Sequence, residues 1–323
     1  VGCFRRMHVW DTDRGRLHFD SAETGAPALG YTVAQAALAD ARQAALAQRP
    51  EIRHYAAAVR SLQVEEDAVA VELHDGRRLR AALLVAADGA RSPVRGLAGI
   101  GHEERDYGQH ALVCNVRTAK PHDEVARQAF LADGPLALLP LAEADHSAVV
   151  WSTLPRHCER LLALPPAEFH RALERACARV LGEVRDSGPR HAHPLRGLWA
   201  ERYCLPRVVL VGDAAHVVHP LAGMGANLGL MDTAALDQTL HEAGGDPGRL
   251  HLLRRYERWR KGENLAVLHL LEILAGLFRR QQPLWRRLRR LGLDAVEVTG
   301  PGKRLLMRLA MGCSSDLPVI ARP

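Results

Sequence analysis

Aromatic residues make up only 5% of this 323-residue chain. Proteins that bind single-stranded nucleic acid stack bases on aromatic side chains interleaved with basic ones. Neither that interleaving nor a recognition motif occurs here, so nucleic acid is not an expected partner. The formal net charge of +6 then suits an anionic membrane face better. No apolar run approaches the roughly 20 residues of a membrane-spanning helix. The amino end also lacks the basic start and apolar block of a secretory leader. Six cysteines (Cys3, Cys114, Cys158, Cys177, Cys204 and Cys313) are scattered without metal-ligand spacing. Free thiols in a reducing cytoplasm are the default for such a pattern. No strand-turn-helix unit with a glycine-rich turn lies near the start, which opens at Val1 inside an apparent strand region, Met7 to Trp10.

What remains is a globular composition, 47% apolar and 25% charged, long enough for one large domain or two packed ones. One stretch stands out, Arg207 to Asp232, "RVVLVGDAAHVVHPLAGMGANLGLMD". Arg207 to Val211 reads as a short buried strand. Gly212-Asp213 ends it with a small residue and a carboxylate placed to accept hydrogen bonds from a ligand hydroxyl. His219-Pro220 forces an extended turn. Gly223, Gly225 and Gly229 punctuate the next segment, and Ala226 to Leu240 has helical periodicity. A glycine turn that opens a helix exposes free N–H groups and the positive end of its dipole, which favours an anionic or electron-rich ligand.

This arrangement resembles the second FAD fingerprint of the para-hydroxybenzoate hydroxylase class of flavin-dependent aromatic hydroxylases. Its wording is most similar to the ubiquinone-biosynthesis hydroxylase family within that class. The resemblance implies that Asp213, after Gly212, binds the ribityl chain of FAD and that Pro220 lies beside the isoalloxazine. It also implies that the turn of Gly223, Gly225, Ala226, Asn227 and Leu228 presents N–H groups to the flavin's pyrimidine carbonyl. A second motif, "ADGARSPVR", follows the apolar run Leu83 to Ala87. It is similar to the family's DG fingerprint, close to both FAD and the path of NAD(P)H. Its matched residues are Asp88, Gly89, Arg91, Ser92 and Arg95, and arginines opening a helix could organise a pyrophosphate site. In one place the chain departs from the pattern. Ala34, Gln35 and Ala36 stand where family members carry an acid, Asn and an Arg that contacts FAD. The family also begins with a pyrophosphate-binding GxGxxG unit. The expectation is therefore a piece of a longer protein, lacking about a hundred leading residues, inactive by itself and a poor binder of FAD.

Read in order, Arg16 to Asp20 is a strand and Tyr31 to Ala47 a helix. Ser61 to Glu65 and Val69 to Leu73 are strands, followed by a hairpin turn at Asp75-Gly76 and a return at Arg78 to Arg80. His110 to Arg117, Gln128 to Leu131, Leu136 to Leu141 and Ser147 to Thr153 read as four strands of an antiparallel sheet. In the resembled family such a sheet roofs the substrate pocket, and Pro140 and Trp151 match positions there. Pro165-Pro166 opens a helix expected over Ala167 to Val184, and Leu195 to Ala200 is a further strand. After the central motif, the Gly244 to Gly248 stretch separates two helices. The second carries Leu252, Leu253, Tyr256 and Trp259 on one face and continues to Phe278. Beyond it, Arg279, Arg280, Arg286, Arg287, Arg289 and Arg290 crowd around Leu284, Trp285, Leu288 and Leu291. That pattern suits a membrane surface or a partner groove, or a structural helix with solvated arginines.

The expected fold is α/β: an FAD-binding Rossmann-type domain with an inserted antiparallel substrate sheet and carboxyl-terminal helices. Its parts are 1–105 and 201–245 for the cofactor, 106–200 for the sheet and 246–323 for the helices. The reaction the resemblance implies is aromatic hydroxylation with FAD, NAD(P)H and O2 on a polyprenylated phenol or quinol. Placement would be cytoplasmic, with peripheral attachment to an inner membrane or to a quinone-biosynthesis complex. Rival readings are a non-catalytic subunit of such a complex, or a flavin monooxygenase of the same fold acting on another aromatic or a terpenoid. His219 is a weak candidate for a catalytic base. His216 and His219, three apart, lack a third ligand, so no metal is expected.

Overall fold

The computed structural model describes residues 1–11, 16–219, 223–279, 307 and 317–322. In chain order its strands are β1 (Gly2–Phe4), β2 (Arg6–Asp11), β3 (Arg16–Asp20), β4 (Gly30–Thr32), β5 (Val59–Val64), β6 (Val69–Leu73), β7 (Arg78–Ala81), β8 (Leu84–Ala86), β9 (His102–Thr118), β10 (Val125–Leu131), β11 (Gly134–Pro140), β12 (His146–Thr153), β13 (Val184–Ser187), β14 (His191–Ala200), β15 (Cys204–Leu205), β16 (Val208–Leu210) and β17 (His216–Val217). The helices are α1 (Gln35–Ala47), α2 (Pro93–Leu97), α3 (Pro155–Ala163), α4 (Pro166–Ala176), α5 (Gly225–Ala243) and α6 (Leu250–Arg279). The chain forms two units, built mainly of Val1–Arg53 with Gly108–Leu195 and of His54–Tyr107 with Arg196–Ile273.

The first unit is a sheet backed by helices. Strands β9, β12, β11 and β10 pair antiparallel in sequence of adjacency, and β13 also pairs with β9. The alternating burial along β11 and β12 is the signature of a sheet with one face on the core. Leu112, Leu136, Val149 and Trp151 from the strands meet Cys158, Leu161, Phe169 and Leu173 from α3 and α4 in one apolar cluster. At the other side β10 pairs in parallel with β2, Val125 to Phe130 against Arg6 to Asp11, and β2 pairs antiparallel with β3.

The amino-terminal strands group with the larger sheet, because their backbone hydrogen bonds run to β10. The helix expected from Tyr31 begins at Gln35 instead. Tyr31 pairs with Cys3 in the β1–β4 ladder, and Ala34 is still extended. The helix expected to reach Val184 stops at Ala176. Ala178 and Arg179 follow with positive φ of 53° and 52°, a left-handed turn that cannot continue a helix. The chain then re-enters the sheet as β13. Helix α3, opened by Pro155, was not anticipated.

In the second unit β5, β6 and β7 form an antiparallel meander. Its hairpin turns at Asp75-Gly76, with Gly76 at φ 85°. A second small sheet runs β15–β16–β8, and β14 pairs with β17 through Leu198 and Val217. Val208, Val209 and Leu210 are wholly buried, with Leu253 and Tyr256 of α6 packed against them. The Tyr256 hydroxyl donates to the Leu210 carbonyl at 2.9 Å. The apolar face read from Leu253 and Tyr256 is thus the face of α6 that docks on β16. Among the described residues no helix is long and apolar enough to cross a membrane.

Candidate functional site

The two sequence motifs meet at one sheet edge. Strands β8 and β16 run parallel, Leu84 to Ala86 beside Val208 to Leu210. Asp88-Gly89 and Gly212-Asp213 each begin two residues past the carboxyl end of their strand. Ligands of open parallel sheets bind beyond strand carboxyl ends. Both turns use left-handed glycine, Gly89 at φ 85° and Gly212 at φ 58°, a conformation other residues adopt only under strain.

The first turn is held from within. Asp88 Oδ2 accepts from the Val94 N–H at 3.1 Å, and Ser92 Oγ caps α2 by accepting from the Arg95 N–H at 2.9 Å. Arg95 is buried. Its guanidinium donates to the Ala90 carbonyl at 2.8 Å and to the Ala214 carbonyl at 2.9 Å. It therefore ties the Asp88 turn to the Asp213 turn, while Arg91 faces solvent. Of the two arginines, only Arg91 is free to meet a ligand.

The second turn is held by a carboxylate that sequence reasoning did not single out. The Gly212 N–H donates to Asp232 Oδ2 at 3.0 Å. Asp232, on α5, has no solvent exposure, and three more donors converge on it. They are His216 Nε2 at 2.6 Å, Arg260 Nε at 2.9 Å and Asn264 Nδ2 at 3.1 Å. Burial alone would raise the Asp232 pKa, but the contacts of His216 and Arg260 outweigh it and hold the carboxyl below its usual range. The available signal was the pair Arg260 and Asn264, four apart on the face of α6 that also carries Tyr256 and Leu253. A polar pair on an apolar face calls for a buried partner.

Asp213, Ala226, Asn227 and Gly223 are exposed, and Leu228 is buried with Val218 and Leu268. Helix α5 starts after Met224 with no side chain capping it, so its first-turn N–H groups keep their capacity for a ligand. A Cβ built on Gly225 would meet nothing within 4 Å among the described residues, so their packing does not require glycine there. Gly229 differs: a Cβ on it would lie 3.2 Å from the Gly212 Cα. His219 is buried with its ring edge-on to Tyr107, centroids 4.8 Å apart. His216 is committed to Asp232. Pro220 lies outside the described residues, as do Arg280 and the 284–291 segment. Among the described residues no group of three or more His, Cys, Asp or Glu could hold a metal. Pro140 and Trp151 belong to the first unit. Trp151 is packed in its core, edge-on to His157 at 5.7 Å, and Pro140 is the buried end of β11.

Residues 6–268 match the FAD binding domain family. The chain is 42% identical to ubiquinone hydroxylase UbiL of Rhodospirillum rubrum, over 92% of this chain and 70% of that protein. The chain belongs to the FAD-dependent hydroxylases of ubiquinone biosynthesis. It is also 33% identical to the 3-demethoxyubiquinol 3-hydroxylase of Escherichia coli, over 96% of this chain and 80% of that one. Two solved structures share the fold. One is p-nitrophenol 4-monooxygenase of Pseudomonas putida, with TM-score 0.75, 20% identity and coverage of 96% and 81%. The other is HpxO of Klebsiella pneumoniae, solved with FAD and uric acid, with TM-score 0.75, 19% identity and coverage of 97% and 82%.

The second unit of this flavin hydroxylase fits an FAD. Among the described residues, an exposed carboxylate at Asp213, an uncapped helix start and the absence of packing on a Gly225 Cβ suit a ligand with hydroxyls and an electron-rich ring. The fold expected from the sequence, an α/β flavin-hydroxylase type with an antiparallel sheet, stands.

Proposed function

We propose that this protein uses FAD, NAD(P)H and O2 to hydroxylate the ring of a polyprenylated phenol or quinol in ubiquinone biosynthesis. The observation that carries the reading is the pairing of exposed Asp213 with the uncapped start of α5, in a chain so similar to ubiquinone hydroxylases. FAD, when bound, would supply the redox chemistry that links NAD(P)H to O2.

The chain's own residues bind and orient. Asp213 accepts hydrogen bonds from the ribityl hydroxyls, at the turn opened by Gly212. The N–H groups of Gly225, Ala226 and Asn227 would hold the flavin's pyrimidine end, where a helix amino end favours negative charge. Leu228 anchors that turn in the core, and Gly223 gives it its left-handed entry at φ 63°. Asp88 and Gly89 form the neighbouring wall, with Arg91 available to an anionic group. His216 is engaged by Asp232 and His219 is enclosed beside Tyr107, so the reading gives neither a proton-transfer role. The protein meets its apolar substrate at an inner-membrane surface, as a peripheral protein, or within a quinone-biosynthesis complex.

The experiment is to purify the full-length protein, record its flavin absorbance, and supply NAD(P)H, isotopically labelled O2 and a polyprenyl phenol. One labelled oxygen on the ring supports the reading. A colourless, flavin-free protein that still assembles with other quinone-biosynthesis proteins would replace it with the non-catalytic one.

A further inference from the structure

The four donors on Asp232 are more than a cluster that stabilises a core. Two of them, the Gly212 N–H at 3.0 Å and His216 Nε2 at 2.6 Å, flank the turn whose outward member is Asp213. The other two, Arg260 Nε and Asn264 Nδ2, come from α6. Arg260 also reaches Asn264 Oδ1 at 3.0 Å, so the α6 pair is fixed before it meets the carboxylate. Oδ2 faces the turn and Oδ1 faces α6. Such a carboxylate converts the packing of α6 into a fixed position for one backbone N–H. Gly212 has no side chain with which to fix itself; at φ 58° its carbonyl accepts from the Ala215 N–H at 2.8 Å, and Asp232 Oδ2 is the partner that holds its N–H. Asp213 follows it directly.

We propose that Asp232, backed by Arg260 and Asn264, is a positioning residue for the flavin contact of Asp213. Its role is to hold the Gly212 peptide so that the Asp213 carboxylate is aimed outward at the ribityl chain. The inference rests on the assignment of Asp213 to FAD, and the test separates the two.

The test is a double-mutant cycle read as FAD affinity of the full-length apoprotein, by flavin fluorescence titration, with thermal unfolding in parallel. Asp232→Asn keeps the shape but turns one acceptor into a donor. It should weaken FAD about tenfold or more, the scale of one lost charge-assisted hydrogen bond. If Asp232 acts through Asp213, the same change made in Asp213→Ala should add less than about threefold, because coupled sites are not additive. A purely structural role would give full, additive weakening in both backgrounds, and that result would overturn the proposal. Asp246→Asn is the control. It weakens the half-buried ion pair with Arg207 in the same unit, at 2.7 Å, and should lower thermal stability while leaving FAD affinity unchanged. Should Asp232→Asn fail to fold, Asn264→Ala removes a single donor and should show a smaller loss that also vanishes without Asp213. Unchanged affinity in Asp213→Ala alone would sink the assignment of Asp213. Weakening there with none in Asp232→Asn or Asn264→Ala would sink only the positioning role.

Discussion

Gly229 of α5 and Gly212 of the Asp213 turn approach so closely that a Cβ on Gly229 would lie 3.2 Å from the Gly212 Cα. The neighbour that would have to yield is backbone, and it is tethered to Asp232. Alanine normally gains up to about 1 kcal/mol over glycine inside a helix. At position 229 that gain should be offset by crowding, typically about 1–3 kcal/mol. Gly229→Ala is therefore expected to lower the melting temperature. A Cβ on Gly225, in the same helix, would meet nothing within 4 Å among the described residues. There Gly225→Ala should leave the melting temperature level or raised, while Gly225→Val should impair FAD binding through side-chain bulk in the ligand space. Opposite effects at two glycines four residues apart are the outcome to look for. A rise in melting temperature in Gly229→Ala would contradict the close approach.

Acid should find the same carboxylate. The Asp232 carboxyl titrates below its usual range, because the contacts from His216 and Arg260 outweigh burial. A group whose pKa is depressed on folding contributes stability above its unfolded value, near 3.9 for Asp. That contribution is lost as pH falls through the folded value. Stability of the wild-type protein should therefore drop below about pH 4 more steeply than that of Asp232→Asn. Urea unfolding at a series of acidic pH values measures this, and parallel curves would show that Asp232 is not the group responsible.

Much of the candidate site was readable in the sequence because the residues proposed to face the ligand lie close together in the chain. Gly212, Asp213, Gly225 and Asn227 lie within one 26-residue stretch. The order of strand, turn and helix there needs only local information. Strand β3 matches its expected bounds, Arg16–Asp20, since alternation identifies a strand without tertiary help. The support behind the site was not readable. Asp232 meets Arg260 and Asn264 across 28 and 32 residues of chain; the polar pair on the apolar face of α6 signals a buried partner, but no local pattern says which residue it is. The parallel pairing of β2 with β10 joins segments more than a hundred residues apart, and no local pattern specifies it. Ala178 and Arg179 misled for another reason. Both are good helix formers by composition, yet they take the left-handed turn that ends α4.

The basic carboxyl-terminal segment yields an expectation about membranes. Arg286, Arg287, Arg289 and Arg290 flank Leu284, Leu288 and Leu291 with Trp285 beside them; this segment lies outside the described residues. Each arginine near an anionic surface contributes about 1 kcal/mol, and salt weakens it. The protein should co-sediment with anionic vesicles at low salt and be released at high salt. Changing those four arginines to Gln should abolish the binding without unfolding the protein. Wild-type protein that stays in the supernatant at low salt would leave the segment as a partner-docking or structural element.

The central claim is that Asp213 holds the cofactor, and one titration tests it most directly. FAD is added to the full-length apoprotein of wild type and of Asp213→Ala, and the dissociation constants are compared. Loss of a charge-assisted hydrogen bond of about 1.5–3 kcal/mol should weaken binding roughly tenfold or more. The melting temperature of the apoprotein should stay level, since the Asp213 side chain is exposed. Equal dissociation constants for the two proteins would contradict the account.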